Sequence, residues 1–173
     1  MNIFATVDTN WAIGSKNNLL IRIPSDHKFF FKATRRKVVV LGRKTLDTFP
    51  GKLPLPGRTN IIMSTNPDYK PPQGGACVKD AIVVHNLDEL LKELEKYPPE
   101  DIFIIGGESI YRLMLPYCNI AHITKINYAY EADSFFPNLD NMEEWHITAD
   151  SDEQTYFDIT YEFLQYEKKE TQC

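Results

Sequence analysis

Short apolar runs at residues 3–7, 37–41, 60–63, 82–84 and 102–105 recur along this chain, rich in Ile and Val and ending at glycine or polar turn formers. A run without polar alternation suits a strand covered on both faces, so these segments predict buried, parallel strands. Between them the apolar spacing changes to a helical one. Ile23-Pro24 forces extended backbone, after which Ser25 is a good N-cap for a helix to about Arg36. Asn86, with Glu89 three residues on, forms a capping-box variant ahead of Leu87, Leu90, Leu91 and Leu94, one apolar helical face ended by Pro98-Pro99. A short helix follows Gly42, and another runs from the Gly106-Gly107 pair to about Pro116. Residues 121–126 predict a further strand, and residues 157–163 alternate apolar with polar as an antiparallel strand with one wet face. Residues 8–18 and 66–76 are dense in turn formers and predict exposed loops, the first of them mobile.

Strands alternating with helices in this order give an α/β fold. The expectation is one domain over residues 1–173, with a mostly parallel central sheet flanked by helices, right-handed crossovers and an antiparallel C-terminal edge. Ligands of such sheets bind at the strands' carboxyl ends, here Ala5, Gly42, Ser64 and Gly106.

Composition changes this picture little. At 43% hydrophobic and 25% charged residues the chain reads as soluble and globular, with no apolar run long enough to span a bilayer. No basic, cleavable leader pattern opens it, so a cytoplasmic location is expected. Cys77, Cys118 and Cys173 have neither disulfide-framework nor metal-pair spacing and read as free thiols, and His27, His85, His122 and His146 lack ligand spacing, so no metal is expected. A net charge of -5 argues against nucleic acid. Charge is uneven, however: from Lys16 to Arg58 there are eleven Lys or Arg and only Asp26 and Asp47 as acids, whereas from Glu131 onward twelve acids face Lys168 and Lys169. A basic half carrying glycine turns suits a polyanionic small molecule, although a merely dipolar surface has the same composition.

Three constellations carry candidate chemistry. Asp26 falls in a helix's first turn, where the macrodipole alone favours an acid, but Ile21, Ile23, Phe29, Phe30 and Phe31 surround it in sequence and would desolvate it. A carboxylate with a raised pKa in that setting can bind or pass protons. Gly42-Arg43-Lys44-Thr45 at a strand end, with Ser64-Thr65 ending the next strand, can cradle phosphate, as ordinary strand-end turns also look. Arg58, on the rigid loop Leu53-Pro54-Leu55-Pro56-Gly57, presents a fork suited to a carboxylate or to a surface ion pair. The diglycine pair is not a dinucleotide fingerprint, since Glu108, Ser109 and Ile110 follow with no third glycine.

Taken in order, Ala12-Ile13-Gly14, Ile23-Pro24-Ser25-Asp26, Gly42-Arg43-Lys44-Thr45, Leu55-Pro56-Gly57-Arg58, Ile105-Gly106-Gly107 and Thr124 resemble the blocks of the dihydrofolate reductase family across nearly the whole chain. The resemblance implies NADPH-dependent reduction of 7,8-dihydrofolate to tetrahydrofolate, with Asp26 and Thr124 as the catalytic pair. It implies that Asp26 bonds the pterin and promotes protonation of its imine nitrogen through a water. Phe30, Phe49 and Leu55 would wall the aminobenzoyl ring, Arg58 would take the glutamate carboxylate, and Ala5, His27 and Ile105 would border the substrate. For the cofactor it implies backbone contacts at Ala5, Thr6 and Ile13, and phosphate contacts from Arg43, Lys44, Thr45 and Ser64. Gly14, Leu19, Gly42, Met63 and Thr65, with Ile105, Gly106, Gly107, Glu108, Ser109, Ile110 and Tyr111, complete that set. Residues 9–20 would be a lid, and the protein a monomer that also binds antifolates.

The chain departs from the family pattern in three places. Ile21 stands where tryptophan is usual, removing an indole that helps hold a water near the pterin. Leu20 replaces a common proline, and His27 replaces an apolar residue. These changes imply weakened binding of diaminopyrimidines such as trimethoprim. Two rival readings are a ribosylaminopyrimidine reductase of riboflavin biosynthesis, disfavoured by Asp26, Phe30 and Arg58, and a non-catalytic NADP-binding protein, supported by Ile21 alone.

Overall fold

The computed structural model describes residues 1–72 and 81–170, so Cys77, Cys173 and the end of the 66–76 loop lie outside the described residues. Its main sheet runs in the order β10 (Trp145–Asp150), β12 (Ile159–Lys168), β8 (Ile120–Ile126), β1 (Asn2–Val7), β7 (Ile102–Gly106), β4 (Val38–Gly42), β5 (Thr59–Met63), β6 (Ile82–Val84). A short strand, β11 (Gln154–Tyr156), also pairs with β12. From β8 to β6 every pairing is parallel, and β12 is antiparallel to β8, β10 and β11.

The apolar runs are buried on both faces because both faces are covered. Ile3, Ala5, Val7, Val40, Ile102 and Ile104 share a core with Leu90 and Leu94 of α3 (Leu87–Leu94) and with Ile110 and Met114 of α4 (Glu108–Met114). The alternate positions Phe4, Val39, Leu41 and Phe103 turn the other way, toward Phe30 and Ala33 of α1 (Pro24–Thr34), Leu46 of α2 (Arg43–Leu46) and Leu55. Asn86 caps α3 as expected, accepting from the Glu89 amide at 2.9 Å, while the Glu89 carboxylate reaches back to the His85 amide at 2.7 Å.

The structure corrects several boundaries. α1 starts at Pro24, whose ring pre-sets the first helical turn, and not at Ser25, which caps nothing. The Ser25 hydroxyl instead accepts from Tyr161 Oη at 2.9 Å. The last strand begins after Phe157, which sits at a hairpin turn with φ 54° and its ring 83% exposed, so its apolar character belongs to a turn. β12 is also not an edge, because β10 lies outside it.

Residues 8–18 are not one exposed loop either. They contain β2 (Ala12–Ser15) and β3 (Asn18–Leu19), which join β9 (Ser134–Phe135) in a small second sheet. Lys16 and Asn17 both have positive φ, the geometry of a two-residue hairpin turn. The base of the hairpin is fixed by Asp8, wholly buried, whose Oδ1 accepts from the amides of Asn10 (2.8 Å) and Ala12 (2.9 Å) and whose Oδ2 accepts from the amide of Tyr130 (2.8 Å).

Candidate active site

The carboxyl ends of β1, β4, β5 and β7 open into one cleft of about 980 Å³, roofed by the β2–β3 hairpin and floored on one side by α1. Such a volume is at the upper end for small-molecule sites, and suits two ligands side by side.

One end is organised around Asp26, which the first turn of α1 turns inward. Only 8% of the residue is exposed. Thr6 and Thr124 stand in register on the neighbouring strands β1 and β8, so their side chains project from the same face. Thr6 Oγ1 donates to Asp26 Oδ2 and Thr124 Oγ1 donates to Asp26 Oδ1, each at 2.6 Å. Burial raises the pKa of Asp26 above its usual value, and this outweighs the two hydroxyls and the nearby His27, which act downward. Aromatic rings supply that low dielectric: Phe4 lies 5.2 Å from both Phe29 and Phe30, centroid to centroid.

The other end is polar and cationic. Gly106 has φ 118°, and an added Cβ there would lie 3.1 Å from the Tyr111 ring; at Gly107 it would meet Thr45 Oγ1 at 3.2 Å. The Gly106-Gly107 peptide, which is cis, is therefore packed closely by Tyr111 and Thr45, an approach that a side chain on either glycine would obstruct. Tyr111 is locked beneath it, its hydroxyl donating to the Phe4 carbonyl at 2.6 Å, and burial raises its pKa far above the ordinary range. Arg43 and Lys44 are exposed at the end of β4, and among the described residues neither is in an ion pair, although Arg43 lies 5.9 Å over the Tyr69 ring.

The cleft is lined by Ala5, Thr6, Ile13, Gly14, Leu19, Asp26, His27, Phe30, Phe49 and Leu55. Gly42, Arg43, Lys44, Thr45, Met63, Ser64, Thr65 and the stretch 105–111 line the rest. Two residues singled out in the sequence are not on the wall. Thr124 is 1% exposed and reaches the cleft only through Asp26. Arg58 lies behind Phe31: its guanidinium stacks 4.9 Å over that ring and donates to the carbonyls of Phe31 and Pro56, both at 2.7 Å, and to Thr34 Oγ1 at 3.2 Å. Three of its five N–H groups are thus occupied and the fork is held rigid.

Two contacts carried no sequence signal. Arg22 donates across the cleft mouth to the Thr48 carbonyl at 3.3 Å, and it reads in sequence as one more exposed cation. The Thr6 hydroxyl on Asp26 depends on a strand register that sequence does not reveal. Cys118 is a free thiol, as expected, buried outside the cleft and pushed up to about 12 by burial, which leaves it little thiolate.

Fold and site together define the class: a nucleotide-binding α/β protein that faces a second ligand with a single acid in an apolar pocket. A family model described as dihydrofolate reductase matches residues 1–168. Dihydrofolate reductase of Bacillus subtilis is 35% identical over 171 residues, 96% of this chain and 93% of that protein, and that of Staphylococcus haemolyticus is 32% identical over 97% and 95%. The structure of the Enterococcus faecalis enzyme, complexed with NADP(H) and RAB-propyl, superposes with a TM-score of 0.82 at 28% identity, covering 98% of this chain and 96% of that one. This chain belongs to the dihydrofolate reductase family.

Proposed function

We propose that this protein catalyses the NADPH-dependent reduction of 7,8-dihydrofolate to 5,6,7,8-tetrahydrofolate. The observation that supports this most is the buried carboxylate of Asp26, held between two hydroxyls, sharing one cleft with the Gly106-Gly107 pair and the exposed cations Arg43 and Lys44. That donor set fits a dinucleotide phosphate: Arg43, Lys44, Thr45, Ser64 and Thr65 would take its phosphates beside the Gly106-Gly107 pair. When bound, NADPH supplies the hydride for the imine carbon of the pterin.

The protein's own groups bind, orient and move a proton. Asp26 accepts hydrogen bonds from the pterin's amino and ring NH groups, and its raised pKa suits it to promote protonation of the imine nitrogen better than an exposed carboxylate would. Thr124 holds Oδ1 from below. Phe30, Phe49 and Leu55 wall the aminobenzoyl ring, and the two remaining N–H groups of Arg58 take the glutamate carboxylate. The β2–β3 hairpin closes over the reacting atoms and excludes water. We also expect a cytoplasmic monomer.

Loss of NADPH absorbance on adding dihydrofolate tests the reading. Turnover supports it, and its absence despite tight NADPH binding would move the search to ribosylaminopyrimidines or to a binding role. Replacing Arg58 by alanine is expected to raise KM for dihydrofolate roughly tenfold or more, with little change in kcat. An analogue lacking the glutamate should show no such change, and equal losses on both substrates would remove Arg58 from substrate binding. Trimethoprim is expected to bind more weakly than to a sensitive enzyme, because Ile21 and His27 reshape the wall beside Asp26. An inhibition constant as low as a sensitive enzyme's would sink that expectation.

A further inference from the structure

The Thr6 hydroxyl is one of the groups held on Asp26, yet the reaction as proposed gives it no part of its own. The side chain lines the cleft, whereas its partner Thr124 is sealed behind Asp26. Register places the two threonines side by side on parallel strands, and each donates to a different oxygen of the same carboxylate at 2.6 Å. Oδ2, the oxygen held by Thr6, is therefore the one bordered by the cleft wall. Ile21, another residue of the cleft wall, is a hydrocarbon and can donate nothing to that region.

We propose that Thr6 is a positioning residue for the reaction: with Thr124 it clamps the Asp26 carboxylate in one plane and favours its charged form, supplying from β1 the polar ordering that Ile21 cannot. This rests on the dihydrofolate-reducing reading above. The clamp uses one lone pair of each oxygen, so each keeps another for a ligand donor, and the Thr6 oxygen is itself an acceptor toward the cleft. A hydroxyl donating to an ionised carboxylate is among the stronger hydrogen bonds, and deleting it where water is excluded shifts the balance toward the protonated acid. The other ionisable groups nearby are few. α1 brings His27, which acts on Asp26 through its charge, and α4 brings Tyr111, which burial keeps neutral. β8 carries His122, which burial biases to the neutral form among Phe4, Phe29 and Phe103. β1 carries no ionisable side chain, and Tyr161 of β12 donates to Ser25, next to Asp26. Thr6 and Thr124 are thus the only side chains hydrogen-bonded to Asp26 among the described residues.

The test is the pH profile of kcat/KM for dihydrofolate at saturating NADPH in Thr6→Val, Thr6→Ser and the parent. Valine keeps the shape and removes the hydroxyl, so the midpoint assigned to Asp26 should move up by roughly one pH unit. Serine should restore it. In an Asp26→Asn background Thr6→Val should change nothing further, since the group it acts on is gone. NADPH affinity and thermal melting report whether the valine protein folds, and Thr6→Ala serves in its place if it does not. A midpoint that stays with the parent in both Thr6→Val and Thr6→Ala, or a shift that serine fails to reverse, would overturn the proposal. If the parent itself shows no turnover with dihydrofolate, the functional reading fails first.

Discussion

Asp26→Asn is expected to fold, to bind NADPH as the parent does, and to lose about two to four orders of magnitude in turnover with dihydrofolate, the span commonly carried by a positioned acid or base. The amide keeps the shape and both threonine contacts in reach, because a hydroxyl can turn from donor to acceptor. What it cannot do is carry charge or pass a proton. The same substitution should stabilise the fold at neutral pH. Burial raises the Asp26 pKa in the folded protein above its unfolded value, so the folded state holds its proton more tightly. Stability from this group is therefore complete below the unfolded pKa and falls as pH rises through the folded one. A neutral side chain removes that loss, and the melting temperature should rise relative to the parent at pH 7 while the two converge in acid. Turnover within a few-fold of the parent would take the carboxylate out of the chemistry, and an unchanged or lower melting temperature at pH 7 would refute the linkage.

The largest loss of stability is expected from Asp8→Ala. Three backbone amides, those of Asn10, Ala12 and Tyr130, donate to one wholly buried carboxylate, and the last of them comes from far along the sequence. An unpartnered buried donor costs about 1–3 kcal/mol. With the Ala12 bond buried and those of Asn10 and Tyr130 only partly so, the loss falls toward the lower end of the sum, roughly 3–5 kcal/mol, a large share of the 5–15 kcal/mol typical of a domain. Because Asp8 anchors the hairpin that roofs the cleft, NADPH affinity should drop as well. Urea unfolding and NADPH titration measure the two effects. A stability change under about 1 kcal/mol would mean the amides find other partners.

What could be read from sequence follows where burial leaves a mark. The run at 102–105 is apolar because β7 lies between β1 and β4 with both faces covered, and it was legible for that reason. β10 left no mark: Trp145 alone is buried and the next five residues are exposed, so no alternation betrays a strand. β2 and β3 are hidden by their own turn, since Lys16, Asn17 and Asn18 look like loop and in fact make a hairpin. Phe157 misled in the opposite direction, an aromatic residue at an exposed turn. At the site, Asp26 stands out in sequence as a lone acid among phenylalanines, and strand-end glycines mark the other half of the cleft. The hydroxyls on Asp26 could not be placed from local pattern. They depend on β1 lying beside β8, a pairing between segments more than a hundred residues apart.

That pairing has a consequence for how the protein is made. β1 is the earliest strand to be synthesised and sits in the interior of the sheet, yet its two neighbours are β7 and β8, at residues 102–106 and 120–126. During translation its six residues must wait, with apolar side chains unpaired, until most of the chain has left the ribosome. β4 and β5, adjacent in both sequence and space, can meet much sooner. Asp26 on α1 can therefore gain both Thr6 and Thr124 only after β8 is available to pair with β1, well after β4 and β5 can have met.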